Sequence, residues 1–374
     1  MSPARPGAGY RPGTRDPLVR AVQAVLDAAV GDGVAPSATC AIAVNGDALP
    51  VLHAGDGTPG TFYDLASVTK LFSTVTALAL VDAGRLTLDE PVARWLPEYA
   101  QGAKAAVTLR HLLTHTSGLP SEWRGWHRAL SEGLPFDRDA LVTDLLATAL
   151  EAAPGTRFAY SCAGFNTVMA LTERVTGEPW ARLVTDLVLE PLGLEDAVRG
   201  NPPAHLCAPT EFQPELGRGV VRGIVHDEAA WSLGGVSGNA GLFATAPGLR
   251  RFGEALRAGL GGVLSPALAA DMWRSQLPEV LGGHFDPAAP GFGHGLGLRI
   301  NQQPWMGVQG TLARGHGGFT GTSLLVDRHA GITIALLTNR IHPRRDGNDA
   351  TELRRAVSDV VRAGATTGRC APDP

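Results

Sequence analysis

Ser67-Val68-Thr69-Lys70 opens the apolar run Leu71-Phe72-Ser73-Thr74-Val75-Thr76-Ala77-Leu78, and this stretch decides how the chain reads. Residues three apart share one face of a helix, so Lys70 should hold its amine one turn above the Ser67 hydroxyl. Burial in such a run disfavours the charged form of a lysine and draws its pKa towards neutrality. A neutral amine beside a serine can take the hydroxyl proton and make the oxygen a nucleophile. The free N–H groups at a helix N-terminus favour the negative charge that then develops.

The rest of the chain sets bounds. At 374 residues it can bury a large core, and 44% hydrophobic with 18% charged residues is an ordinary globular composition. A formal charge of -4 gives no attraction to nucleic acid or to an anionic membrane surface. Cys40, Cys162, Cys207 and Cys370 are far apart and form no C-x-x-C. Residues 1–15 are rich in Pro, Gly and Arg, without an apolar core of signal-peptide type, so they read as a disordered tail. A cytoplasmic setting with reduced thiols is the expectation. No stretch reaches membrane-spanning length without polar interruption, so no membrane partner is expected.

Periodicity supplies the outline. Leu18, Val22, Val25, Leu26 and Ala29 recur at helical spacing, and Gly31 stops that helix. Ala38–Val44 reads as a strand, Asn45-Gly46-Asp47 as a hairpin turn and Leu49–His53 as the return strand. Ser67 to Ala83 is apolar nearly all round, the mark of a buried helix. Thr108 caps a further helix through Leu113, and helical patterns recur at 139–152, 164–176, 179–189 and 247–258. The C-terminal third reads as strands at Gly295–Ile300, Leu312–His316, Thr322–Asp327 and Ile332–Thr338, then a helix at Asp349–Ala363. Strands at both ends with helices between predict an α+β (α/β) fold: one antiparallel sheet flanked by N- and C-terminal helices, carrying a large helical insertion. The corresponding units are 16–65 with 245–365 for the sheet and 66–244 for the helical part, with a tail at 366–374.

Two further boxes accompany the first: Tyr160-Ser161-Cys162 after the turn Pro154-Gly155-Thr156, and His316-Gly317-Gly318 followed by Phe319-Thr320-Gly321. With Leu112 to Pro120 and Val225-His226-Asp227-Glu228, these motifs resemble the serine β-lactamase and penicillin-binding-protein superfamily. The branch is class C-like and includes family VIII carboxylesterases, D-stereospecific peptidases and acyltransferases. A related set pairs S-x-x-K with S-D-N and K-T-G; a tyrosine box replaces S-D-N in the class C-like branch. The resemblance spans about residues 20 to 362.

It implies an acyl-enzyme. Ser67 attacks a carbonyl carbon, Lys70 and Tyr160 share the proton work, and the backbone N–H groups of Ser67 and Phe319 form the oxyanion hole. Which of Lys70 and Tyr160 takes the first proton is a coupled titration and stays open at this point. No metal and no cofactor is implied.

Two departures bear on substrate. Cys162 stands where the family often has asparagine and cannot donate an amide hydrogen bond. His316-Gly317 replaces Lys-Thr, which removes a permanent cation and a hydroxyl that would grip a substrate carboxylate. β-Lactams and D-Ala-D-Ala peptides carry that carboxylate and neutral esters do not. The expectation is therefore a carboxylesterase-like activity on small esters or amides, with weak β-lactam turnover at most. The alternatives are acyl transfer, D-amino-acid peptidase action and a catalytically silent binding protein. Arg344, just past the last strand, is a candidate for the missing charge. His226, Asp227 and Trp123 are candidate cleft residues beside Cys162, His316, Gly317 and Gly318. His111 and His115 are four apart, but no Glu follows His111, so the zinc motif H-E-x-x-H is absent and both read as structural. No oligomeric state is legible.

Overall fold

The computed structural model describes residues 16–286, 293–308, 310, 312–347 and 349–367. The tail read at 1–15 and Cys370 lie outside these residues. Helix α1 (Asp16–Gly31) buries Leu18, Val22, Leu26 and Ala29 on one stripe, as its period dictates. Strand β1 (Ser37–Val44) is buried along its whole length. Asn45 and Gly46 turn the chain with φ of 54° and 87°. The return strand is split into β2 (Asp47–Ala48) and β3 (Leu52–Gly55). Pro50 lies in the gap and has no N–H to donate to a ladder, which breaks the continuous strand expected over Leu49–His53.

The central segment carries α2 (Thr69–Asp82), α3 (Leu109–Leu113) and α4 (Cys162–Thr176). Helix α5 (Ala246–Ala258) leads back to the sheet. There follow β4 (Gly293–His294), β5 (Arg299–Ile300), β6 (Arg314–Gly317), β7 (Ser323–Asp327) and β8 (Ile332–Thr338), then α6 (Thr351–Thr367). The single strand expected over Gly295–Ile300 is instead the turn and second arm of a hairpin. Gly297 turns it with φ of 66°, and a Cβ there would meet Thr74 Oγ1 at 2.0 Å.

The main sheet is antiparallel in the order β2-β1-β8-β7-β6-β5-β4, with β3 also paired to β1. Its N- and C-terminal strands are therefore neighbours: Cys40 lies opposite Leu336. On one face α1 and α6 cover Cys40, Ile42, Val44, Ile332, Ile334 and Leu336. On the other, α5 covers the face that carries Ala41, Leu324, Val326, Ala335 and Leu337, and α2 packs against α5. Phe72 of α2 stacks on Phe252 of α5 at 3.8 Å, and burying a ring of this kind contributes about 1.5–3 kcal/mol. One apolar cluster runs from Leu171 of α4 through Leu71 of α2 to Val326 of β7. This arrangement fixes α2 between the sheet and the remaining helices, so its first turn opens at the end of β6. No described helix is long and apolar enough to cross a membrane.

Candidate active site

Ser67 sits on a 3-10 turn (Ala66–Val68) that feeds directly into α2. Three residues per turn eclipse positions i and i+3, so Lys70 lies squarely over Ser67. Lys70 Nζ is 3.0 Å from Ser67 Oγ. The first bond of the turn runs from Val68 N–H to Leu65 C=O, which leaves the Ser67 N–H ahead of the intrahelical ladder. Ala66, immediately before the serine, has φ of 45°, a left-handed conformation that costs a non-glycine residue energy. Asp64 holds it there: its Oδ1 accepts from Ala66 N at 2.8 Å. Its Oδ2 accepts from His226 N at 2.7 Å, tying the nucleophile's turn to the His226 loop.

Tyr160 comes from the segment just before α4, and its hydroxyl is 2.8 Å from Ser67 Oγ. The turn at Thr116–Pro120 positions it. Ser161 caps α4 through a bond from Gly164 N–H to its Oγ, and that hydroxyl donates to Pro120 C=O. Cys162 N–H donates to Ser121 C=O, and Ala159 N–H donates to His115 C=O. His115 Nδ1 accepts from Ser161 N–H at 3.0 Å.

Lys70 is fully buried. Its amine also meets Cys162 Sγ at 3.4 Å and donates to Asn239 C=O at 3.1 Å. Burial draws its pKa down, but Cys162 and Tyr160 beside it outweigh that and hold it above the ordinary lysine value. That direction is the opposite of the one burial alone would give.

Three buried histidines surround the Tyr160 ring or back it. The His115 and His316 rings lie 4.5 and 6.0 Å from it, and His294 lies 5.0 Å from His115. Burial holds all three below the ordinary imidazole range, His294 at about 3. His316 is thus neutral and brings no cation in place of lysine. Its Nδ1 donates to Gly317 C=O at 2.8 Å. Beneath the box, Arg354 of α6 donates to Gly318 C=O at 2.7 Å and to Thr322 C=O at 3.0 Å. Gly318 lies against the nucleophile's turn, where a Cβ would meet Leu65 O at 2.5 Å. Phe319 follows, half exposed, with its ring 5.9 Å from His226.

A cavity of about 320 Å³ is lined in part by Cys162 and Asn239, the two residues that also hold the Lys70 amine, while Ser67 itself is not among its lining residues. Trp123, Trp126 and His127 wall one side, and Asp227, Glu228 and Arg345 the other. Trp123 is locked by its indole N–H to Asp144 at 2.7 Å. Asp227 caps the short helix Glu228–Ser232 by accepting from Ala230 N–H. His226 is buried and bonded to Glu211 at 2.8 Å. Arg344 is exposed and does not line the cavity; Arg345 does, and it is ion-paired to Glu211 and Glu228. His111 completes the capping box of α3 with Thr108. The sequence reading missed Arg299, whose guanidinium lies 4.7 Å from the centre of the Tyr160 ring. It also missed Asp64, Arg345 and Asn239. No motif marks Arg299; only the pairing of β5 with β6, Arg299 opposite Gly315, brings it to the site.

Comparison with known proteins agrees with this geometry. The Beta-lactamase family profile matches residues 22–359. Esterase EstB of Burkholderia gladioli is 34% identical over 329 residues, 79% of this chain and 82% of that protein. Among solved structures, EstCE1, a hydrolase with promiscuous acyltransferase activity, superposes with a TM-score of 0.73 at 26% identity, over 92% of this chain and 98% of that one. A D-stereospecific amidohydrolase from Streptomyces sp. gives 0.69 at 26% identity, over the same shares. With its serine, lysine and tyrosine converging at one turn of a β-lactamase-like fold, this chain belongs to the beta-lactamase family and is a serine hydrolase.

Proposed function

We propose that the protein is a carboxylesterase-like hydrolase that acts on small esters through an acyl-Ser67 intermediate. The observation that carries this reading is the pair of contacts on Ser67 Oγ, 3.0 Å from an ammonium and 2.8 Å from a phenol. In this reading Tyr160 acts as a phenolate whose charge the Lys70 ammonium steadies, and it takes the Ser67 proton to become a neutral phenol as Oγ attacks. Ser67 Oγ bonds to the carbonyl carbon, and the Ser67 and Phe319 N–H groups receive the oxyanion. Tyr160 returns the proton to the departing alcohol. Water then repeats the sequence and frees the acid.

The neutral His316-Gly317-Gly318 box supports neutral esters over carboxylate-bearing β-lactams, because burial leaves no charge on His316. The likeness to EstB, an esterase by name, points the same way. The cavity beside Cys162, walled by Trp123 and Trp126, is apt for a small acyl group. Acyl transfer to an alcohol is the second reading, favoured by the likeness to EstCE1.

The test is acid-quenched mass spectrometry during turnover of a short p-nitrophenyl ester. The reading expects one acyl group on the Ser67 peptide and none in S67A. No adduct together with product release overturns it. Product analysis with added alcohol separates hydrolysis from transfer.

A further inference from the structure

The family's K-T-G lysine is absent here, and the histidine in its place is neutral. Yet a permanent cation does stand beside Tyr160. Arg299 of β5 reaches across the paired strand β6 and lays its guanidinium over the phenol ring, 4.7 Å from the centroid. Its Nη1 donates to Gln302 Oε1 at 3.2 Å, and Trp305 Nε1 fixes that same oxygen at 2.7 Å. Among the described residues no carboxylate pairs with Arg299. Nor does Arg299 line the cavity walled by Trp123 and Asp227, where an acyl group would sit.

We propose that Arg299 is the positioning residue that supplies, from the neighbouring strand, the positive charge missing from the His316-Gly317-Gly318 box. It acts on the Tyr160 side chain and not on a carboxylate of the substrate. The proposal rests on the reading of Tyr160 as the proton acceptor for Ser67.

The physics is direct. A guanidinium keeps its charge at every working pH. Over an aromatic face it is attracted by the ring quadrupole, and far more strongly once the phenol becomes a phenolate. Tyr160 thus has two cations against its ring, Arg299 from β5 and Lys70 from α2, the latter 5.0 Å from the ring centre. The other titratable groups facing it are His115 from the segment after α3 and His316 from β6, with Cys162 beside Lys70 and His294 behind His115. The imidazoles are neutral, so Arg299 and Lys70 are the cations against the ring, with the Asp227 carboxylate acting on Lys70. Motifs that encode the charge on β6 in relatives leave it here to β5.

The test compares wild type, R299Q and R299K. Tyrosinate absorbance in the near ultraviolet is titrated against a Y160F baseline, and kcat/KM of a neutral p-nitrophenyl ester is followed with pH. Tyr63 and Tyr99 do not interfere, since burial pushes both upward, Tyr99 to about 12. R299Q should move the Tyr160 titration and the acid limb of kcat/KM to higher pH by about one unit, the scale of one nearby opposite charge. R299K should restore most of the shift, and KM should change little. A Tyr160 titration unmoved in R299Q overturns the proposal. So does a loss confined to carboxylate-bearing acyl donors with an unmoved pH limb, which would make Arg299 a substrate anchor. A titration that moves while no protein turns over ester upholds the electrostatic assignment and refutes the acyl-serine reading instead.

Discussion

Lys70 Nζ and Cys162 Sγ are in direct contact at 3.4 Å, and Cys162 also lines the cavity walled by Trp123 and Asp227. The ammonium therefore has three partners: the Ser67 hydroxyl, the Asn239 carbonyl and a thiol. The thiol is partly exposed, unlike those of Cys40 and Cys207.

An alkylated Cys162 would push into the space of Lys70 and the cavity. Iodoacetamide should abolish ester turnover with one added carbamidomethyl group on the Cys162 peptide. C162A should stay within about tenfold of wild type, a change of about 1.4 kcal/mol in the barrier, and resist the reagent. Equal sensitivity of C162A and wild type would show that inactivation acts elsewhere.

Replacing Lys70 by methionine removes the ammonium but keeps the stem. Turnover should fall by roughly 10³-fold, since the charge that steadies Tyr160 is lost and a positioned proton-transfer partner such as Tyr160 contributes 10²–10⁴. Melting temperature should hold or rise, because a buried charge replaced by an apolar side chain is often neutral or stabilising. Paired measurements of kcat and Tm decide this; a collapse in Tm would assign Lys70 a structural role.

Asp64 bridges Ala66 N–H and His226 N–H through its two oxygens. D64A strands two buried donors, each worth about 1–3 kcal/mol, and frees the strained Ala66 turn. Activity should drop more than stability alone explains, with kcat falling at temperatures well below Tm. D64N retains one acceptor and should fall between. Wild-type kcat in folded D64A would remove Asp64 from the account.

The buried histidines give a pH signature. Their folded pKa values lie below the unfolded value near 6.5, so the unfolded state binds more protons as pH falls. The stability they contribute is present above about 6.5 and is lost as pH falls towards the folded values, about 3 for His294. Each group adds a slope of up to about 1.4 kcal/mol per pH unit in that window. Denaturant unfolding should show stability declining steeply from pH 6.5 to 4.5. H294Q should flatten the decline by about one group's share. An identical slope in H294Q would mean that His294 titrates normally in the folded protein.

The serine, lysine and tyrosine were legible because each sits in a local pattern: a three-residue spacing that one turn of helix converts into contact, and a tyrosine box behind a Pro-Gly turn. The sheet was legible because β1, β7 and β8 are short, mostly apolar runs with β-branched residues, each buried along its whole length. Arg299 was not, because only strand pairing brings it to Tyr160. The direction of the Lys70 shift is not legible in the sequence, because desolvation follows from a run of apolar residues, whereas the Cys162 and Tyr160 groups that outweigh it arrive from a distant segment. Arg345 rather than Arg344 faces the cavity because its ion pairs to Glu211 and Glu228 turn it inward, and those partners are far away in the chain.

The most direct measurement is kcat/KM for a short p-nitrophenyl ester in wild type and S67A. The account predicts clear turnover in the wild type and a fall of roughly 10⁴- to 10⁶-fold in the mutant, the scale of losing a nucleophile. Turnover that survives in folded S67A would contradict it, because a group other than Ser67 would then carry the chemistry.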